Sequence, residues 1–379
     1  MDTFQAESDM AKTPEKGRII HSIRALDGVV NTGSKRMVDF EVLVVDGSNP
    51  TGVAMTRDIL GAARLFAERA GHAGPSATFH SPGGGDVHLQ GGLSISTRRL
   101  PDRQSQRAPV LLIPGIWVES AHQLRERLQR PDCQQAIRYI ARRAAAGACI
   151  AASCSGVFLL QAAGLLGGRH ATTTWWLAPE LSRIAPDTRV DGNRILCVDG
   201  PIITAGAAFA QSDVMLYLLR QRFGAALADA VSRILLLHER SESAQFVVPS
   251  MLASGDVLVS KLTKRVESAL PEIPSVAELA SELCISERTL GRHVRYATGM
   301  GTNALIQSIR LHRARALLQS SRMSVDNVAA AVGYSDTTAL RRLMRKTVGT
   351  TPGRVRAAAG VAVQLPRRAK VNRNAAEVV

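Results

Sequence analysis

One apolar pattern is written twice in the last third of this 379-residue chain, and no other feature restricts its folding as much. Val276, Leu279, Ala280 and Leu283 precede Ser286-Glu287-Arg288-Thr289-Leu290-Gly291-Arg292. Val325, Val328, Ala329 and Val332 precede Ser335-Asp336-Thr337-Thr338-Ala339-Leu340-Arg341-Arg342. The copies lie 49 residues apart through Thr289 and Thr338, then 50 apart from Leu290 and Leu340 to Gly299 and Gly349, so the second has one extra residue. In each, apolar residues at i, i+3, i+4 and i+7 mark one face of a helix. The pattern therefore predicts, twice over, a helix, a turn and a second amphipathic helix.

Local chemistry agrees with that reading. Ser275-Val276-Ala277-Glu278 is a capping-box pattern, in which serine and glutamate each satisfy an orphan amide at the helix start. The turn Gly333-Tyr334-Ser335 puts glycine where a left-handed residue closes a helix. In the first copy Cys284 holds that place, at a cost of roughly 1 kcal/mol. Leu290 and Val294 anchor one second helix and Leu340 and Met344 the other. The remaining faces are cationic, with Arg288, Arg292, His293 and Arg295 in one and Arg341, Arg342, Arg345 and Lys346 in the other. Arginine forks onto guanine in the major groove or onto phosphate, so each face suits double-stranded DNA. A basic bundle with merely solvated charges would not need two matched cores around matched turns, joined by a helix over residues 303–319.

These residues resemble the DNA-binding domain of the AraC/XylS transcription regulators, from about 255 to 358. The likeness includes Ile309-Arg310-Leu311-His312-Arg313-Ala314-Arg315-Ala316-Leu317-Leu318 and the closing Val348-Gly349-Thr350-Thr351-Pro352. It implies a promoter or operator partner met by Arg288, Thr289, Arg292 and Arg295 in the first recognition helix. In the second, Thr337, Thr338, Arg341, Arg342 and Arg345 hold the matching places. Gly291 occupies a position that usually reads DNA but offers no side chain. Leu340 and Met344 stand where the family usually has phenylalanine, a change within the core.

Charge supports a polyanion partner. From residue 271 onward there are 17 Lys or Arg against 7 Asp or Glu, a balance of +10 out of +15 for the whole chain. A basic amphipathic helix with exposed aromatics, as a membrane surface would require, is missing. The five cysteines Cys133, Cys149, Cys154, Cys197 and Cys284 show no CxxC and no histidine at ligand spacing, so neither metal nor disulfide framework is expected. The odd count and the absence of a secretory signal suit a reducing cytoplasm. Residues 144–168 carry no charge, but five glycines and Ser153-Cys154-Ser155 split them into strand, turn and helix rather than a membrane span. Residues 1–36 and a basic tail at 359–379 have little apolar area to bury and read as flexible arms.

Between the arms, residues 37–250 read as a domain of alternating strands and helices. Strands are predicted at 38–45, 77–80, 93–97, 110–113 and 148–152, and helices at 53–70 and 132–146. This alternation predicts an α/β fold with an open, mainly parallel sheet and helices on both faces, followed by an all-α domain with two helix-turn-helix units. Ligands in such sheets collect at the carboxyl ends of strands. Two places qualify: Pro114-Gly115-Ile116-Trp117 and Ala152-Ser153-Cys154-Ser155-Gly156. Small residues around Cys154 suit a sharp strand-to-helix elbow, where the helix dipole would lower a thiol pKa.

These residues resemble the DJ-1/PfpI group of the class I glutamine amidotransferase-like fold. The run Gly164-Leu165-Leu166-Gly167-Gly168-Arg169-His170-Ala171-Thr172-Thr173-Thr174-Trp175, with Ile203-Thr204-Ala205-Gly206 and Asp213, resembles GlxA-type regulators, which join that fold to an AraC-type domain. Cysteine catalysis in this fold needs a base beside the thiol. The family's histidine position holds Thr174 here, and residues 47–53 bring no carboxylate. No catalytic residue and no cofactor are therefore expected. The alternative is a cysteine-dependent amidase or glyoxalase-like enzyme using Cys154, with His170 as the one nearby histidine. The resemblance implies instead a small effector, such as a nitrogen compound, held by Gly115, Trp117, Cys154, Ser155, Thr174 and Trp175. Core packing is an equally good account of Trp175 and Trp176. The resemblance also implies a homodimer and RNA polymerase as a partner.

Overall fold

The computed structural model describes residues 38–101, 109–237 and 256–360. The arm at 1–36, most of the tail at 359–379 and the expected domain boundary at 250–255 fall outside them. By contact density the chain divides into two compact units, Met1–Ser243 and Ala244–Val379.

Among the described residues the first unit has ten short strands. They are β1 Phe40–Leu43, β2 Ala77–Ser81, β3 Gly85–His88, β4 Ser94–Arg99, β5 Val110–Ile113, β6 Ile150–Ser153, β7 His170–Ala171, β8 Arg189–Val190, β9 Leu196–Asp199 and β10 Ile202–Ala205. Eight of them form one sheet in the order β3-β4-β2-β1-β5-β6-β10-β9, and β7 pairs with β8. The run from β4 to β10 is parallel, and the hairpins β3/β4 and β9/β10 make both edges antiparallel. Connections are made by α1 Pro50–Arg69, α2 Ala121–Gln129, α3 Pro131–Ala145, α4 Val157–Ala162, α5 Ala178–Ile184, α6 Gln211–Phe223 and α7 Ala225–Ile234.

Strand alternation separates two cores. Phe40, Val42, Val110, Leu112, Ala151 and Ile203 face α1, α6 and α7. Leu43, Leu111, Ile113, Ile150, Ala152 and Ile202 face α2 to α5. The central strands are buried on both faces, which is why they read as unbroken apolar runs. Glu41 breaks the run on β1. Tyr139 donates a hydrogen bond to it and Arg143 pairs with it at 3.3 Å, all three inside the core. Burial and the Glu41 contact push the Tyr139 hydroxyl far above its usual range.

The second unit holds α8 Val257–Ser268, α9 Val276–Glu282, α10 Glu287–Thr298, α11 Thr302–Ser320, α12 Val325–Ala331, α13 Thr337–Val348 and α14 Pro352–Gly360. Helix α14 runs two residues into the segment read as tail. Two separate cores lie along α11. Its first half contributes Leu305, Ile306 and Ile309 to a cluster with α8, α9 and α10. Its second half contributes Leu311, Ala314 and Leu318 to a cluster with α12 and α13. No helix among the described residues is long and apolar enough to cross a membrane.

Candidate nucleic-acid interface and effector cleft

Both helix-turn-helix copies are closed by the devices their sequences announce. Ser275 accepts from the Glu278 amide at 3.2 Å, while Glu278 accepts from the Ser275 amide at 2.8 Å. In the second copy Ser324 accepts from Asn327 at 3.1 Å. The turns contain Cys284 at φ 57° and Gly333 at φ 81°, so the thiol-bearing residue does take the left-handed conformation. Recognition helix α10 is capped by Ser286 and ends on left-handed Gly299; α13 is capped by Asp336 and ends on left-handed Gly349. The amides of Ala339 and Thr338 hold the Asp336 carboxyl below its usual range.

Leu290, Val294, Leu340 and Met344 are fully buried and fix the roll of these helices. That roll leaves Arg288, Arg292 and Arg295 exposed on α10, and Thr338, Arg341, Arg342 and Arg345 exposed on α13. None of these arginine side chains forms a hydrogen bond or ion pair with another described residue. Thr289 is half-buried, with its hydroxyl 3.0 Å from that of Ser286; Thr337 is half-buried at the start of α13. His293 departs from the cationic face expected of it. Its Nδ1 lies 2.9 Å from Asp256, the residue that caps α8 through the amides of Leu258 and Val259. Burial raises the Asp256 carboxyl, but His293 and those amides outweigh it and hold the group below its ordinary value.

In the first unit the loops after β1, β5 and β6 converge. The Asn49 amide donates to Gly115 at 2.7 Å and the Trp117 amide to Gly47 at 2.9 Å. Cys154 sits at φ 55°, a strained elbow opening a 3₁₀ turn that leads into α4. Its neighbours have to be small. A Cβ at Gly115 would lie 2.8 Å from the Cys154 Cβ, and one at Gly156 would lie 2.8 Å from the carbonyl oxygens of Ile113 and Pro114. Ser155 accepts from the Ile116 amide at 2.8 Å, and Thr173 donates to the Cys154 carbonyl at 2.7 Å. Gly115, Cys154, Ser155 and Thr174 thus meet at one elbow. Trp117 stands 48% exposed in the loop after β5, and Trp175 is half-buried near Gly192. Trp176 packs into the core beside α4 and α5.

The Cys154 thiol differs from the expected one. Burial pushes its pKa above the ordinary thiol value, although hydrogen bonds from Ser155 and Thr174 act the other way. Desolvation outweighs those hydrogen bonds here. His170 is no base for it: it is exposed on β7, with its Nε2 3.2 Å from Arg189. Cys133 is pushed up to about 12 by burial, and Cys284 is the one exposed cysteine. A maleimide at neutral pH should therefore label Cys284 first, followed by mass spectrometry of tryptic peptides. Labelling of Cys154 should be slow at neutral pH and climb with pH as thiolate forms, because burial raises its pKa above the ordinary thiol value. Fast labelling of Cys154 at pH 7 would contradict this.

Sequence reasoning passed over two residues at this end of the sheet. Asn49 is buried and caps α1 by accepting from Thr51, a role its Asn-Pro pair already signals. Phe209 is 60% exposed in the loop after β10, with no local pattern to mark it. No group of three or more His, Cys, Asp or Glu side chains able to hold a metal occurs among the described residues.

Comparison with known proteins follows the same division. A helix-turn-helix domain family matches residues 279–358. The transcriptional regulator GlxA of Rhizobium meliloti is 28% identical over 289 residues, covering 74% of this chain and 84% of that one. The regulator GbdR of Pseudomonas aeruginosa is 25% identical over 276 residues, covering 71% of each. Both alignments are longer than either unit alone. Among solved structures, an AraC family regulator from Pseudomonas putida gives a TM-score of 0.43 at 20% identity, over 52% of this chain and all of that one. A ThiJ/PfpI family protein from Pseudomonas syringae gives 0.44 at 15% identity, over 74% and 98%. The paired helix-turn-helix copies of this chain thus lie in the segment that matches a helix-turn-helix domain family, and the likeness to the transcriptional regulator GlxA extends beyond them into the unit that carries the elbowed parallel sheet.

Proposed function

We propose that this regulator reads a promoter or operator with both recognition helices and answers to a small molecule bound at the elbow of its first domain, residues 37–250. Arg288, Thr289, Arg292 and Arg295 of α10, and Thr337, Thr338, Arg341, Arg342 and Arg345 of α13, are the DNA-facing set. The observation that carries the reading is the pair of like-built helices whose arginines form no hydrogen bond or ion pair with another described residue. Cationic side chains left free on two matched faces are what successive major-groove segments require. The test is titration of the full chain with duplexes from the region upstream of its own coding sequence. Binding that falls steeply with salt and prefers one fragment is the expected result; equal binding to all fragments would sink it.

The elbow favours binding over catalysis. Its thiol is held protonated, Thr174 replaces the usual base, and His170 is engaged elsewhere. Gly115, Trp117, Cys154, Ser155, Thr174 and Trp175 form the proposed effector cleft, with Trp117 offering an exposed ring to a cationic nitrogen compound. An effector at about 100 times its Kd stabilises the folded state by about 2.7 kcal/mol. For a domain of this size that raises Tm by roughly 5–10 °C. A thermal-shift screen of small nitrogen metabolites should find such a compound, and Cys154→Ala should keep the response. Turnover of an amide or a glyoxal by the parent, lost in Cys154→Ala, would restore the enzyme reading. A homodimer that engages RNA polymerase in the cytoplasm completes the proposal.

A further inference from the structure

Between α10 and the start of α11 the first copy forms a cleft of about 570 Å³, lined by Arg288, Gly291, Arg292, Arg295, Tyr296 and Thr302 with neighbouring backbone. Gly291 opens it. A Cβ at that position would meet only the Thr302 hydroxyl, at 3.9 Å, and the residue does not adopt a positive φ. Neither sterics nor backbone geometry calls for glycine, which costs an exposed helix about 1 kcal/mol relative to alanine. What the glycine supplies is space.

The groups around that space are donors lacking an acceptor. Thr302 is 9% exposed, lines the cleft, and its hydroxyl makes no hydrogen bond to any described residue. It is the first residue of the 19-residue helix α11, whose N-cap is Gly301, with no side chain to cap it. The first amides of that helix therefore emerge unsatisfied, at the positive end of its dipole. Arg295 stands free beside them, and Tyr296 is 64% exposed. A hydroxyl on a largely buried threonine, helix-terminal amides, a guanidinium and a phenol all donate to one kind of acceptor, a phosphate oxygen.

We propose that this cleft seats one backbone phosphate of the bound DNA. Thr302 and the opening amides of α11 hold it, Arg295 and Tyr296 close over it, and Arg288 and Arg292 reach past it to the bases. The inference rests on the DNA-binding reading above and gives Gly291, bare of any reading group, the role of admitting the phosphate.

Three variants of the full chain test it, titrated with a random-sequence duplex across a range of salt. Gly291→Leu fills the cleft, Thr302→Val removes the hydroxyl at nearly constant shape, and Arg295→Gln removes one charge. The first two should each weaken binding about tenfold, the loss given by one charge-assisted hydrogen bond. Arg295→Gln should lower the slope of log affinity against log salt by about 0.9. Parent-like affinity in Gly291→Leu and Thr302→Val, with parent-like thermal unfolding, overturns the proposal and leaves the DNA-binding reading standing. A parent that binds no duplex overturns both. A small phosphate would offer the same oxygens, so inorganic phosphate is titrated without DNA. A rise in thermal stability at sub-millimolar phosphate, absent in Thr302→Val, would assign the cleft to a free anion and overturn the DNA assignment.

Discussion

Alanine at both Arg292 and Arg342 should reduce discrimination between the selected fragment and a scrambled duplex by roughly 100-fold or more. Each arginine fork onto a base edge discriminates by about 1–3 kcal/mol, and the two sites sit on separate helices with separate cores, so their effects should add. Folding should not change, since both side chains are exposed and make no hydrogen bond or ion pair within the described protein. Circular dichroism and affinity measured on the same samples separate the two readouts. A double variant that keeps full selectivity would mean that neither helix reads bases through these residues.

Gly333→Ala should do the opposite, costing stability before affinity. Gly333 is left-handed, and a Cβ there would lie 2.4 Å from the carbonyl oxygen of Pro271 and 3.3 Å from the Arg310 guanidinium. Backbone strain and overpacking together should cost roughly 2–5 kcal/mol. Because Pro271 is backbone at the threshold of the first copy, the clash has no flexible side chain to absorb it. Cys284→Gly makes the informative contrast. It relieves the same left-handed strain but adds chain entropy to the unfolded state, so its net effect should stay within about 1 kcal/mol. Thermal melts of the three proteins should rank Gly333→Ala far below the parent and Cys284→Gly close to it. Equal melts for all three would show that the turn does not bear on stability.

Much of this molecule is written in short-range pattern, and the exceptions share a cause. Strand β5 falls where four apolar residues stop at Pro114, and the capping box and both turns form where their residues stand. The elbow at Cys154 was legible because crowding permits only small neighbours. Glu41 was not, since its partners Tyr139 and Arg143 lie about a hundred residues away and make a polar residue tolerable in a buried strand. Strand β3, the hairpin partner of β4, and the edge strand β9 escaped for a related reason. Half-exposed edges carry weak alternation, and their pairing partners decide them. His293 was misread because its neighbours in sequence are arginines while its partner, Asp256, is 37 residues away. The raised Cys154 thiol is likewise a property of what surrounds it, and no spacing rule anticipates desolvation. Gly291 looked like a loss until the space beside it could be seen.

The second turn rests on the first copy at two points, Gly333 against Pro271 and Tyr334 beneath the Arg310 guanidinium at 5.1 Å, while α11 belongs to both cores. A seam of this kind makes the domain a ruler. Inserting one base pair between the two contacted segments would rotate one against the other by roughly 35°. The domain has no loose joint at that seam to follow the turn. Its target sites can therefore drift in base sequence more readily than in spacing, and a search for them should hold the interval constant while letting individual letters vary.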